Sequence, residues 1–355
     1  MSFLKFSPTV FVIGEEYEIA VTTEAAGIIW LTVGGEDFYP ENSGVLSTEK
    51  SFAKIRLPQN KLDTARAYTV NFRESLNRKA YFSMLAEREE ESFGFKPLEK
   101  ADGINIYHIA DVHYSFGEAK KIARFFGRET DLFILNGDIG EVETVNNYMA
   151  VLRFVGDISC GRVPVLFVRG NHDTRGRLAE LYTEYFPANG HKTYFTFRLG
   201  PLSGIALDCG EDKPDAHREY NGVNIFERYR KRELEFLRSL SGKYDFAVCH
   251  IPPAMAAEEE GSQFDIEREV YSKWNKELSR LGVKFMLSGH FHKTFILEKN
   301  DSRSLLPHDY TVIVGAANDD AGTLLGAALT LYKDSVEVRF TDSEEKITEE
   351  ALVRF

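Results

Sequence analysis

Three cysteines in 355 residues, Cys160, Cys209 and Cys249, are too few and too far apart for a disulfide framework or a thiolate zinc site. Long apolar runs are missing too, since none approaches the roughly 18 residues of a membrane span. Lys5 and Pro8 interrupt the N-terminal stretch MSFLKFSPTVFVIG and no small-residue cleavage site follows, so no signal peptide is read. Basic residues are in deficit: 43 Lys and Arg against 55 Asp and Glu leave a formal net charge of −12. So acidic a surface repels phosphate backbones and anionic lipid heads, which argues against nucleic-acid and membrane partners while leaving a local pocket open. A soluble cytoplasmic protein is the expectation. No internal repeat or low-complexity segment occurs. Apolar material is plentiful: at 43% hydrophobic and 13% aromatic, the chain can bury the core of one large domain or of two.

Residues 1–90 read as short strands and turns. TVFVIG, YEIAVTTE, GIIWLTVGG, FAKIRLP, AYTVNFRE and KAYFSML are separated by turn signals such as PENSG, and several alternate apolar with polar residues. That pattern predicts a small all-β sandwich of immunoglobulin or fibronectin-III type. The polar stretch 91–103 is the expected linker. From 104 to 355 the apolar runs INIYHIA, LFILN, VPVLFV, GIALD, DFAV, FMLS and TVIVGA alternate with segments of helical period such as ETVNNYMAVLRFVGDI. Alternation of this kind predicts a layered α/β (α+β) domain whose strands are covered on both faces. In such sheets ligands bind at the carboxyl ends of the strands.

Five of those runs lead into ligand-type side chains. IYHIA runs into Asp111 and His113, LFILN into Asp138, VPVLFV into Asn171, His172 and Asp173, DFAVC into His250, and FMLSG into His290 and His292. Two carboxylates, one amide and four imidazoles suit Mn, Fe or Zn in the divalent or trivalent state. Asp111 and His113, two residues apart on an extended segment, can turn to one side and chelate a single ion, as can His290 and His292. Asp138 has two oxygens and can bridge two ions roughly 3.5–4 Å apart. His108, inside its run, reads as a core residue. His191, His217 and His308 lie in loop-like stretches and read as solvated, and Cys249 alternates away from His250.

Asp-x-His, Gly-Asp, Gly-Asn-His-Asp, a lone His and Gly-His-x-His, in that order, resemble the calcineurin-like metallophosphoesterases over about 104 to 315. The resemblance implies a two-sheet α/β sandwich and two metal ions, one on Asp111, His113 and His292, the other on Asn171, His250 and His290, with Asp138 between them. It implies hydrolysis of phosphomonoesters or phosphodiesters by a metal-bridging hydroxide, with His172 as proton donor and Asp173 as its orienting partner. Two divalent ions and a hydroxide against Asp111 and Asp138 leave about one net positive charge, which attracts phosphate locally. Arg175 is a candidate phosphate clamp, because a guanidinium matches two phosphate oxygens at once. Tyr114 is a candidate substrate contact. The partner expected is a small-molecule phosphate ester, and the N-terminal domain is a candidate contact for another protein or subunit.

An N-terminal sandwich ahead of such a domain resembles the layout of purple acid phosphatases, and GIIWLTVGG is similar to their first-domain strands. Two positions depart from those enzymes. Glu141 stands where they carry the iron-binding tyrosine of Gly-Asp-x-x-Tyr, and His113 stands where their first motif has Gly. The site implied is therefore a general metallophosphoesterase site. The alternatives within the superfamily are a nuclease, which the charge disfavours, and a cyclic-nucleotide phosphodiesterase. A non-catalytic scaffold is a further alternative, which the complete set of ligand positions disfavours. Without the tyrosine, the purified protein is expected to be colourless; a visible tyrosinate-to-iron absorption band would contradict this reading.

Overall fold

The computed structural model describes all residues except Met1, Ala80 and 319–322, with Ala317 and Asn318 described by backbone alone. The N-terminal region forms β1 (Thr9–Ile13), β2 (Glu16–Thr22), β3 (Gly27–Val33), β4 (Glu36–Phe38), β5 (Phe52–Pro58), a short helix α1 (Gln59–Ala65), β6 (Ala67–Asn77), β7 (Met84–Leu85) and β8 (Glu89–Gly94). β1, β2 and β5 make one antiparallel layer, and β3 with β4, β6, β7 and β8 the other. Alternation in β3 sends Ile29, Leu31 and Val33 inward and leaves Ile28, Trp30 and Thr32 half-exposed. Those inward side chains meet Val10, Val12, Ile19, Val21, Ile55 and Leu57 in one core, forming the sandwich.

The remainder begins with β9 (Ile104–Ile109), α2 (Phe116–Ile122), β10 (Leu132–Asn136), α3 (Val145–Ser159), β11 (Val165–Val168) and α4 (Tyr182–Tyr185). It continues with β12 (Phe195–Leu199), β13 (Leu202–Leu207), α5 (Phe226–Ser239), β14 (Phe246–Cys249), α6 (Arg268–Arg280) and β15 (Phe285–Ser288). The last strands are β16 (Lys293–Leu297), β17 (Thr311–Asn318), β18 (Leu324–Leu331), β19 (Ser335–Thr341) and β20 (Ile347–Arg354). β9, β10 and β11 are parallel, with β18 antiparallel against β9. β13, β14, β15 and β17 form the second parallel set. The two sets face each other through Ile106, Ile134 and Leu166 on one side and Phe246, Val248 and Phe285 on the other. Outside, α2 and α3 cover the first set and α5 and α6 the second. This is a two-sheet α/β sandwich, and burial on both faces explains the unbroken apolar runs. Among the described residues no helix is long and apolar enough to cross a membrane.

The division expected at 91–103 does not coincide with a break in hydrogen bonding. β1 pairs in parallel with β11 at Phe11 and Val165, so the first layer of the N-terminal sandwich continues the sheet of β9, β10 and β11. Both faces of β1 are buried as a result. Val10 and Val12 enter the sandwich core, whereas Phe11 stacks edge-on against Phe167 and Phe186 beneath α3 and α4. Phe11→Ala is therefore expected to cost about 3–5 kcal/mol and to lower a single unfolding transition of the whole chain. Calorimetry resolving two transitions, only the first of them shifted, would show instead that residues 1–90 unfold independently.

Candidate metal centre

The chain turns sharply at the ends of β9, β10 and β15. Asp111, His113, Asp138, His290 and His292 all take the left-handed backbone conformation, with φ of 53°, 43°, 55°, 74° and 53°. The extended segments expected at 111–113 and 290–292 are thus absent: each pair reaches one side by a left-handed turn. Such turns cost non-glycine residues about 1–3 kcal/mol apiece and persist where the surroundings over-determine them. Here the loops bind one another: Asp111 N–H donates to the Gly137 carbonyl (3.2 Å), His113 N–H to Asp138 (3.0 Å) and Gly289 N–H to His250 (3.0 Å). Gly170 serves close approach, because a Cβ there would stand 2.2 Å from Asp138 Oδ1.

Five of the seven expected ligands fall into close-set donor groups, and the other two, Asn171 and His290, meet each other. Donor atoms of Asp111, His113 and His292 lie within 4.8 Å of one another, as do those of Asp111, Asp138 and His250, and those of His113, Asp138 and His172. His113 Nε2 faces His292 Nε2 across 3.2 Å. Asn171 Oδ1 is 3.2 Å from His290 Nδ1, and His250 Nε2 is 3.2 Å from Asp138 Oδ2 and 3.7 Å from Asp111 Oδ1. His250 Nδ1 donates to the Asn136 carbonyl at 2.6 Å, which directs Nε2 inward, where it is buried without an aligned hydrogen bond. Nitrogen and oxygen donors about 3 Å apart can share one ion whose bonds are about 2.1 Å long. The donor set fits transition-metal ions.

Electrostatics point the same way. Asp111, sealed from water, is pushed up to about 7 by burial and by Asp138. Asp138 is also buried, yet His250, His172 and His113 hold it below the usual carboxylate range. Burial alone would lower His250, but Asp138 and Asp111 push it up to about 10. Burial lowers His113 and His290 to about 4, keeping both neutral and able to ligate at pH 7. Without a metal ion, the positive charge between the two carboxylates is a proton on His250. Zinc or manganese binding at pH 7 is therefore expected to release that proton and to tighten as pH rises toward 10. Calorimetry in buffers of different ionisation enthalpy measures the release, and buffer-independent heats would contradict it.

The calcineurin-like phosphoesterase profile matches residues 104–294, more than half of the chain. The chain belongs to that family. A mouse (Mus musculus) serine/threonine-protein phosphatase, CPPED1, is 23% identical over 132 residues, which cover 37% of this chain and 42% of that relative. The chain thus spans less than half of the mouse protein. Purple acid phosphatase PPD1 from yellow lupin (Lupinus luteus) superposes with a TM-score of 0.62 at 11% identity, covering 98% of this chain and 74% of that one. PhoD superposes with a TM-score of 0.59 at 12% identity, covering 99% and 89% respectively. These likenesses establish the fold.

Within this phosphoesterase framework several expected roles change. Asp173 is not the group beside His172: its Oδ2 accepts from the backbone N–H of Gly170 (2.8 Å) and Asp138 (3.0 Å), tying two ligand loops together. The carboxylate facing His172 is Glu141, whose Oε1 is 3.5 Å from Nδ1. Arg175 reaches the site, its Nη1 3.1 Å from His172 Nε2, but its charge is taken up by Glu211 (2.8 Å) and Asp212 (3.4 Å). It is not a free phosphate clamp. Tyr114 turns its hydroxyl to the Glu141 carbonyl and is 37% exposed. His308, expected to be solvated, is buried between Ser304 Oγ (2.8 Å) and the Tyr310 carbonyl (2.6 Å). His108 is a core residue, as read, accepting from Asn136 Nδ2 at 3.1 Å.

Glu211 and Asp212 were missed by sequence reasoning. They belong to the polar run GEDKPD just past β13, where the one available signal was several charges following a strand end. Both are buried, and Tyr220 donates its hydroxyl to each (3.1 and 2.9 Å). Asp208, before them, is fully buried and pairs with Arg169 at 2.6 Å, bracing the strand that precedes Gly170.

Proposed function

We propose that this protein is a cytoplasmic dinuclear-metal phosphoesterase acting on small-molecule phosphomonoesters or phosphodiesters. Asp111, His113 and His292 would hold one ion, Asn171, His250 and His290 the other, and Asp138 both. When bound, the ions supply Lewis acidity toward phosphoryl oxygens and lower the pKa of a coordinated water toward about 7. The chain supplies the rest. His172 donates a proton to the leaving oxygen, and Glu141 Oε1 lies 3.5 Å from its Nδ1. A cleft of about 490 Å³ opens onto Asp138, Asn171, His172 and His290, with Phe264 and Phe291 on its apolar side.

The observation that carries this reading is the convergence of donor atoms from five strand ends around two buried carboxylates. His172→Ala is expected to retain both metal equivalents and to lose about 100- to 10,000-fold in turnover. The substrate panel comprises aryl phosphate monoesters, diesters and cyclic nucleotides. Phosphoserine and phosphothreonine peptides are included because of the mouse relative's name. No turnover on any of these with Mn, Zn or Fe supplied would overturn the assignment, and unchanged turnover in His172→Ala would remove the proton-donor role.

A further inference from the structure

An asparagine ligates a metal only through its amide oxygen, and a half-turn of the side chain exchanges that oxygen for an NH2 group. In this structure Asn171 Oδ1 faces His290 Nδ1 at 3.2 Å, while Nδ2 donates to Asp212 Oδ2 across 3.5 Å. The carboxylate can only accept, so it selects the orientation with nitrogen outward and oxygen toward the centre. Asp212 is itself immobilised. Its Oδ1 receives Lys213 Nζ (3.0 Å), the Tyr220 hydroxyl (2.9 Å) and Arg175 Nη2 (3.4 Å), which leaves Oδ2 for the amide. Neighbouring Glu211 binds Thr174 Oγ1 (2.9 Å) and Arg175, so the segment after β13 grips the loop after β11 along its length.

We propose that Asp212 is a positioning residue that fixes the Asn171 amide with its oxygen toward the centre and thereby sets the affinity of one of the two ions. This rests on the reading of Asn171 as a ligand. Asp212→Asn is the informative substitution because it keeps the shape. The three donors on the Oδ1 side capture the new amide's oxygen, so its NH2 confronts that of Asn171 and favours the flipped, non-ligating orientation.

Zinc titration of the full-length protein by calorimetry, with thermal unfolding as a check on folding, tests the idea. Wild type is expected to bind two equivalents. Asp212→Asn should leave one equivalent unchanged and weaken the other about 10- to 100-fold, with Asp212→Ala intermediate. Adding Asn171→Asp to Asp212→Asn should restore the weakened equivalent, since a carboxylate offers an oxygen both to the ion and to the introduced NH2. A merely structural effect would not be rescued in this way. Two wild-type-like equivalents in Asp212→Asn, or no rescue in the double variant, overturns the proposal. Fewer than two equivalents in the wild type instead overturns the dinuclear assignment.

Discussion

Two carboxylates sealed from water at the meeting of two parallel strand sets govern the rest of this molecule. Burial of an ionised carboxylate without compensation is prohibitively unfavourable, and Asp111 and Asp138 share His250 as a partner, at 3.7 and 3.2 Å. The surrounding construction follows from supplying compensation at that point. Backbone amides of His290 and His172 donate to the two carboxylates at 2.9 and 2.8 Å. Strand ends are brought close enough to interlock, and five of the seven expected ligands hold backbone conformations that side chains ordinarily avoid. A site so arranged favours a cation strongly, because an ion relieves charge that the protein otherwise meets by retaining protons.

Legibility tracked the range of the interactions. The ligands could be read because strands buried on both faces produce unbroken apolar runs, and the first polar residue after each run falls at the sheet edge. Partners reached through space left no such trace. Asp173 follows His172 in sequence, yet its carboxylate turns back to the Gly170 and Asp138 amides, and Glu141 arrives from another strand end. Asp212 approaches Asn171 from a segment 41 residues away. His308 looked like a loop residue because neighbouring composition says nothing about a Tyr310 carbonyl folded back over its ring. The pairing of β1 with β11 did have a local sign, since TVFVI is apolar without alternation, the mark of a strand covered on both faces.

Under the proposed function, attraction of phosphate would fall to the metal ions, because the described cations near the centre are already paired. Arg175 lies against His172, but Glu211 and Asp212 neutralise it. Lys213 is committed to Asp212 and Glu219, and Lys293 to Glu258. These cations therefore stiffen the loops around the centre and add little free positive field to the cleft. An overall charge of −12 is compatible with a phosphoesterase when the positive potential is confined to the bound ions.

The junction of β1 with β11 also bears on how the chain comes to be made. Residues 9–13 are synthesised some 150 residues before their parallel neighbour at 165–168. Until it arrives, one rim of the first layer has open N–H and C=O groups able to recruit a strand from another nascent chain. Parallel pairing over so long a loop is intrinsically slow. During the interval between these two segments leaving the ribosome, that rim stays open to pairing with another chain.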